Sequence, residues 1–174
     1  MLKFWRQSRT TMIILTFLRV YIGIQWIQNA MNKLLNGFDS SGMINGALNG
    51  SSSYPWFQDF LHLTTGGGEN VTFFNILVPW AQLAIGLGLI FGTFTLAAAF
   101  FGLLMNTTFI LSGVVSENPT YIVIQLLILL GGFNAAKIGL DYWITPFLRE
   151  KIPFLHNDIA TPQRGPIYTS TAKK

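Results

Sequence analysis

Four stretches of this chain are long and apolar enough to cross a bilayer: roughly residues 11–35, 72–92, 94–114 and 119–140. A spanning helix needs about 20 mainly apolar residues. In hydrocarbon every backbone N–H and C=O must also be satisfied within the protein, which leaves helices as the natural solution for such segments. The second stretch, FFNILVPWAQLAIGLGLIFG, and the third, FTLAAAFFGLLMNTTFILSG, are joined by a very short turn around Gly92–Thr93, so they form an antiparallel hairpin. The fourth, TYIVIQLLILLGGFNAAKIGL, is opened by Pro119, and proline is tolerated in a first helical turn. Composition points the same way. Only 10% of the 174 residues are charged and 51% are hydrophobic, whereas a soluble domain is about a quarter charged. The expected fold is all-α, an integral membrane antiparallel four-helix bundle.

The basic residues set the expected orientation. Lys3, Arg6 and Arg9 precede the first stretch, and Arg149, Lys151, Arg164, Lys173 and Lys174 follow the fourth. The loops 36–71 and 115–118 hold no lysine or arginine but carry Asp39, Asp59, Glu69 and Glu117. By the positive-inside rule both termini are cytoplasmic and both loops lie outside, giving a multi-pass protein of the cell membrane. Arg19 interrupts the first apolar run and no small-residue cleavage site follows it, so the N-terminal region reads as an uncleaved anchor rather than a signal peptide. The organisation is then a basic cytoplasmic N-terminus (1–10), a four-span membrane domain (11–145, outer loop 36–71) and a basic cytoplasmic tail (146–174). Within the outer loop, SSSYPWFQDFLHL (51–63) reads as a short amphipathic helix at the outer interface. Trp56, Phe57, Phe60, Leu61 and Leu63 form its apolar face, with Gln58, Asp59 and His62 opposite. The flanking NGFDSSGMINGALNGSSS and TTGGGEN read as loop, DYWITPFLREKIPFL as a cytoplasmic interfacial segment, and TPQRGPIYTSTAKK as disordered.

The absence of cysteine excludes disulfides, thiol redox chemistry and thiolate-held metal or iron–sulfur centres in this chain. His62 and His156 both fall outside the spans, so no bis-histidine haem is expected between the helices, and no metal or flavin site is evident. The basic residues sit at the chain ends, not on an aromatic-interleaved surface, which excludes a nucleic-acid partner.

The informative segment is FLRVYIGIQWIQNAMNKLL (17–35), an apolar run holding an arginine, a lysine and four amides. At about 100° per residue, Arg19, Trp26 and Lys33 fall on one side, and Gln25, Asn29 and Asn32 widen that face. Phe17, Val20, Ile24, Ile27 and Met31 fall opposite. A central arginine facing lipid costs at least about 2.5–3.5 kcal/mol, so the polar side should look into the bundle. The other spans offer Gln82, Asn106, Gln125, Asn134 and Lys137, with Asp141 at the cytoplasmic end of the fourth. Asp141 is the counter-ion nearest Arg19 in depth, and the two are expected to pair, directly or through one water, near the cytoplasmic side, as a structural or a functional ion pair. Lys33 either snorkels to the outer interface or serves a site, and the amides either join helices or contact a ligand. The small residues Ala84, Gly88 and Gly92, and Gly131, Ala135 and Gly139, read as packing faces. A pocket lined by Trp26, Asn29, Gln82 and Asn106 is expected to open toward the outer half of the membrane, with the 55–63 helix as a partial lid. The competing expectation is a close-packed bundle whose amides bond only to neighbouring helices.

An arginine early in the first span, followed by GIQWIQNAMNKL, resembles the DoxX/DoxD motif of a glycine, an aromatic, a small residue and a lysine. The resemblance continues through QLAIGLGLIFGTFTLAAAFFGLLMNTTFILSG and NPTYIVIQLLILLGGFNAAKIGLDYWI, and covers about residues 15–145. The long outer loop and LLMNTTFILSG are more similar to the DoxD branch, which includes the membrane subunit of thiosulfate:quinone oxidoreductase. The resemblance places the family's polar positions on Arg19, Lys33, Gln82, Asn106 and Asp141. It departs at Gln82, where the family usually has a glutamate, and at Leu96, where an arginine is common. What it implies is a quinone-interacting subunit of a membrane oxidoreductase. Trp26, Asn29 and Asn106 would contact the ring carbonyls, Gln82 would line the site, and Lys33 or His62 would assist at the outer face. Electrons would arrive through a partner subunit. The alternative is a non-catalytic membrane scaffold or assembly factor, alone or as a homo-oligomer.

Overall fold

The computed structural model describes residues 2–50 and 53–152, and every regular element in them is a helix. In chain order these are α1 (Leu2–Gln7), α2 (Arg9–Asn36), α3 (Ser41–Asn49), α4 (Pro55–Thr65), α5 (Thr72–Phe91), α6 (Thr95–Leu111), α7 (Asn118–Gly131), α8 (Phe133–Ala136) and α9 (Asp141–Lys151). His156, Arg164, Lys173, Lys174 and the tail expected to be disordered lie outside the described residues. Helix α2 and helix α5 are each long and apolar enough to cross a membrane, while α6 and α7 are shorter apolar helices.

Local chemistry sets the ends. Gly37 (φ +79°) stops α2. Gly66 and Gly92 close α4 and α5 in the left-handed conformation, donating their N–H groups to the carbonyls of His62 and Gly88. Pro55 and Pro119 each open a helix, where a missing N–H costs nothing.

Four expectations need correction. The fourth apolar stretch is not one helix. It breaks at Gly132, whose φ of +55° and ψ of −137° suit only glycine, and after the single turn of α8 it is not helical again until Asp141. The segment NGFDSSGMINGALNG is not all loop, because α3 forms within it. Ile44 and Ala47 are its buried residues, and Ala47 packs with Phe57 and Leu61 of α4. The side chain of Gln58 donates to the carbonyls of Ala47, Leu48 and Gly50, satisfying the open end of α3. Gln58 is thus turned toward α3, not to water. The apolar face expected for α4 is divided: Phe57 and Leu61 are buried, while Trp56, Phe60 and Leu63 are exposed.

Helix α2 lies against α5 and α7, and α6 completes the ring by packing on both α5 and α7. Leu15, Ile22, Leu89, Ala99 and Ile128 fill the centre. The distribution of polarity is inverted relative to a water-soluble bundle. Arg19, Gln82, Asn106, Gln125, Asn134 and Asp141 are buried, while Phe17, Phe73, Trp80, Phe101 and Val123 are among the exposed large side chains.

The α2–α5 crossing depends on two glycines. A Cβ at Gly86 would lie 2.9 Å from the Gly23 carbonyl oxygen and 3.0 Å from the Ile27 nitrogen, both backbone atoms that cannot swing aside. A Cβ at Gly46, in α3, would meet open space. Gly86→Ala should therefore lower stability by about 1–3 kcal/mol through overpacking. Gly46→Ala should leave it unchanged or raise it by up to about 1 kcal/mol, the helix preference of alanine over glycine. Thermal unfolding of the two variants in detergent measures both.

Candidate functional site

The polar side of α2 does not pack shut. Between α2, α5, α6 and α7 lies a cavity of about 440 Å³, and Trp26, Asn29, Lys33, Gln82 and Asn106 all line it. Trp26 and Gln82 are 3% and 2% exposed and Asn106 is 1% exposed, so they sit at its inner end. Asn106 donates from Nδ2 to Gln125 Oε1 at 2.9 Å, an amide pair that joins α6 to α7. Gly102 makes that pair possible, because a Cβ there would collide with the Gln125 amide. Three polar atoms at the inner end have no hydrogen-bond partner: the Trp26 Nε1 donor, the Gln82 Oε1 acceptor and the Asn106 Oδ1 acceptor. A buried polar group left unpaired costs about 1–3 kcal/mol. Residues that line the cavity thus carry both a donor and acceptors left unpaired within the protein.

The mouth carries charge. Lys33, in the last turn of α2, lies with Nζ 5.4 Å from the centre of the Phe38 ring and makes no ion pair with a described residue. From the turn before α7, Glu117 also lines the cavity and receives the Tyr121 hydroxyl on Oε2 at 2.5 Å. That hydroxyl is 3.4 Å from Gln25 Oε1. One cation, from the end of α2, and one exposed anion, from the turn before α7, thus stand on the same cavity. A second cavity of about 440 Å³, between α5 and α6, is lined by Ile85, Gly88, Phe91, Phe94, Ala98 and Phe101 among others. It is almost wholly apolar and offers no arrangement of polar groups to orient a headgroup.

The cover over the polar cavity is not α4. Phe38 and Met43, from the α2–α3 connection and α3, line the mouth, while α4 braces α3 from behind. Asp39 anchors this cover. It accepts from the Ser41 hydroxyl and N–H and from Asn75 Nδ2, and Asn75 Oδ1 accepts from the Ser40 N–H and hydroxyl. These bonds, the Ser41 hydroxyl first, hold the Asp39 carboxyl below its ordinary pKa. A depressed carboxyl stabilises the fold above its unfolded pKa, and that contribution is lost as pH falls through the lower folded value.

The expected Arg19–Asp141 ion pair does not form as a direct contact. Arg19 donates to the Ala135 carbonyl at 3.1 Å and to the Ile138 carbonyl at 2.5 Å. Asp141 accepts from the N–H groups of Phe94 and Thr95 at 2.8 and 2.7 Å, at the start of α6. The physical reason is the break after α7. It frees carbonyls that only a donor inside the bundle can reach, and the guanidinium fork suits two of them. The carboxylate meanwhile serves the unpaired N–H groups at a helix N-terminus. The two charges still attract across the junction. Glycine permits the approach: a Cβ on Gly92 would run into Arg19 Nη1 at 2.5 Å, and one on Gly139 would lie 2.8 Å from the Gly92 Cα.

Comparison with family models, with curated proteins and with solved structures finds no match. Three features of the site were not singled out as site residues from the sequence: Glu117, Tyr121 and the Phe38–Met43 cover. The spacing of Glu117 and Tyr121, four residues apart across a helix start, is the one signal that could have joined the first two.

Arg19→Ala should lower stability by about 2–4 kcal/mol, since it strands two carbonyls and empties buried volume. Lys33→Ala should cost under about 1 kcal/mol, because Lys33 has no buried partner to strand. Unfolding in detergent followed by size-exclusion chromatography separates these outcomes, and equal losses would contradict the assignment of Arg19 to the junction.

Proposed function

We propose that this chain is a DoxX/DoxD-like, four-span protein of the cell membrane, with both termini cytoplasmic. We further propose that its internal cavity takes the headgroup of a membrane quinone as part of an oxidoreductase assembly. The observation that carries the reading is the unpaired Trp26 Nε1, Gln82 Oε1 and Asn106 Oδ1 at the inner end of one cavity. A volume of about 440 Å³ falls within the usual range for small-molecule sites, about 300–1,000 Å³. A quinone ring offers carbonyl oxygens for the Trp26 N–H and a flat apolar face for the rest of the wall.

The membrane setting is supported by the outward display of large apolar residues around a polar interior. A soluble monomer rarely shows apolar patches beyond a few hundred Å². In a bilayer the same surface is solvated by lipid, and the apolar α5–α6 cavity is a natural place for an acyl chain. Electron transfer would need a partner subunit, since the described residues contain no group of three or more metal-ligating side chains.

The second reading is a scaffold or assembly factor. It is favoured by α4, whose Trp56, Phe60 and Leu63 are exposed next to the cover of the cavity. There the polar cavity would hold only water.

Titration of the detergent-solubilised protein with a decyl-substituted benzoquinone, followed by tryptophan fluorescence, distinguishes the two. The quinone reading expects saturable binding, loss of binding in Asn29→Leu with folding intact, and about three- to tenfold weaker binding in Trp26→Phe, the worth of one hydrogen bond. Absence of saturable binding, or variants that bind like the parent, would leave the scaffold reading standing.

A further inference from the structure

We propose that the exposed stripe of α4, Trp56, Phe60 and Leu63, lies in the outer leaflet of the bilayer, so that lipid and not a partner protein covers it. The inference rests on the membrane reading above, not on the quinone, and adds the surface that anchors the cover of the cavity. Helix α4 carries two apolar faces. Phe57 and Leu61 are buried against α3, and Gln58 turns with them to the α3 carbonyls. Trp56, Phe60 and Leu63, spaced i, i+4 and i+7, share a second face and are exposed, Leu63 at 86%. Tyr54, just before the helix, is exposed as well. At about 100° per residue the exposed Asp59 and His62 fall to one side of the stripe. Apolar rings on one side and polar groups on another are the layout of a helix that lies in the interface plane.

Lipid is the occupant that the surroundings of α4 fit. The Ser53 hydroxyl donates to the Leu111 carbonyl at 3.3 Å, and the Leu111 side chain packs on the cluster of Ala47, Phe57 and Leu61. The start of α4 is thereby fastened to the end of α6, whose Phe100, Phe101 and Leu104 belong to the exposed apolar belt. The stripe continues that belt. Its size also argues against a protein partner. Helix α4 has 11 residues, about 16 Å of helix, and its free face offers three large side chains. A specific protein interface takes about 20–30 residues a side. An interfacial helix needs no such area, because its rings exchange water for the headgroup and acyl boundary. The stripe is held rigidly from beneath. The Phe57 ring centre lies 5.7 Å from that of Trp56, edge to face, and 6.2 Å from that of Phe60, stacked. Lipid-facing rings and α3-facing core are thus one packed unit. A position taken in the leaflet fixes α3, and with it Met43 at the mouth of the cavity.

The chain has no cysteine, so single-cysteine variants of the full-length protein each carry one spin label. Phe60→Cys and Leu63→Cys report the stripe, Asp59→Cys and His62→Cys the side next to it, and Phe101→Cys the belt. Each variant is reconstituted alone in vesicles of phosphatidylcholine and phosphatidylglycerol. Collisions of the label with oxygen, which concentrates in lipid, are compared with collisions with a water-soluble nickel chelate. The stripe labels are expected to collide mainly with oxygen, at about 5–10 Å below the headgroup boundary. The labels at Asp59 and His62 are expected to collide mainly with nickel. Nickel-dominated collisions at Phe60 and Leu63, with the Phe101 label in lipid, would overturn the inference, leave the membrane reading in place and point to a protein partner. Oxygen-dominated collisions at all four α4 positions would also overturn it, since the helix would then be sunk in hydrocarbon. Dipolar broadening at Leu63 that vanishes on dilution with unlabelled protein would overturn it in favour of a second copy. Nickel-dominated collisions at Phe101 as well would overturn both the inference and the membrane reading.

Discussion

A guanidinium buried among helices has no water to turn to, and the arrangement of this chain follows from how Arg19 is satisfied. Its Nη1 and Nη2 donate to the carbonyls of Ala135 and Ile138, which the break after α7 makes available, while Nε has no partner. The break brings Leu140 and Asp141 against the end of α5, where their N–H groups donate to the carbonyls of Phe91 and Gly92. The Asp141 carboxylate then holds the first N–H groups of α6, including that of Phe94 in its left-handed conformation (φ +50°). A bulky residue there costs about 1–2 kcal/mol, which two charge-assisted bonds from one carboxylate offset. Arg19, Gly92, Gly139 and Asp141 thus form a single junction that fixes where α5 stops, where α6 starts and how the last segment returns.

That junction lies toward one end of α2, and the cavity lies toward the other. Lys33 follows Arg19 by 14 residues, about 21 Å along a helix. Between them the Gly23–Gly86 contact presses α2 against α5. At the junction the Arg19 Nη groups and the Asp141 carboxylate find protein partners, while Arg19 Nε and Thr95 Oγ1 have none. At the cavity Trp26 Nε1, Gln82 Oε1 and Asn106 Oδ1 likewise have none, and such buried groups are retained in a fold at a cost in stability.

Much of this was legible in the chain. The α5 helix occupies Thr72–Phe91, nearly the stretch that hydropathy marks. The helical spacing separates the buried Arg19 and Trp26 from the exposed Phe17, Ile24 and Met31, but Asn29 and Asn32, expected on the inward face, are exposed, and Val20 and Ile27, expected on the outer one, are half-buried. Local periodicity carries such information because both faces of one helix are written in one segment. It does not carry the choice of partners. Arg19 turns to carbonyls rather than to Asp141 because of a backbone break at Gly132, and a glycine pair in an apolar run does not by itself distinguish a break from a packing face. Helix α3 was hidden by its glycines and asparagines, which weaken helix propensity, and is held by tertiary contacts with Phe57 and Gln58. Glu117 served only as a marker of the outer side, since nothing in the sequence brings a turn residue to a cavity wall.

The central claim is that the cavity beside α2, and no other surface of the bundle, receives the ring. Photoaffinity labelling with an azido-substituted benzoquinone, followed by peptide mapping, tests it most directly. The account predicts labels within Trp26–Phe38 and within Ser116–Tyr121, competed away by unlabelled quinone. Labels confined to the apolar α5–α6 cavity around Phe91 and Phe101, or spread over the exposed belt and indifferent to competitor, would contradict it.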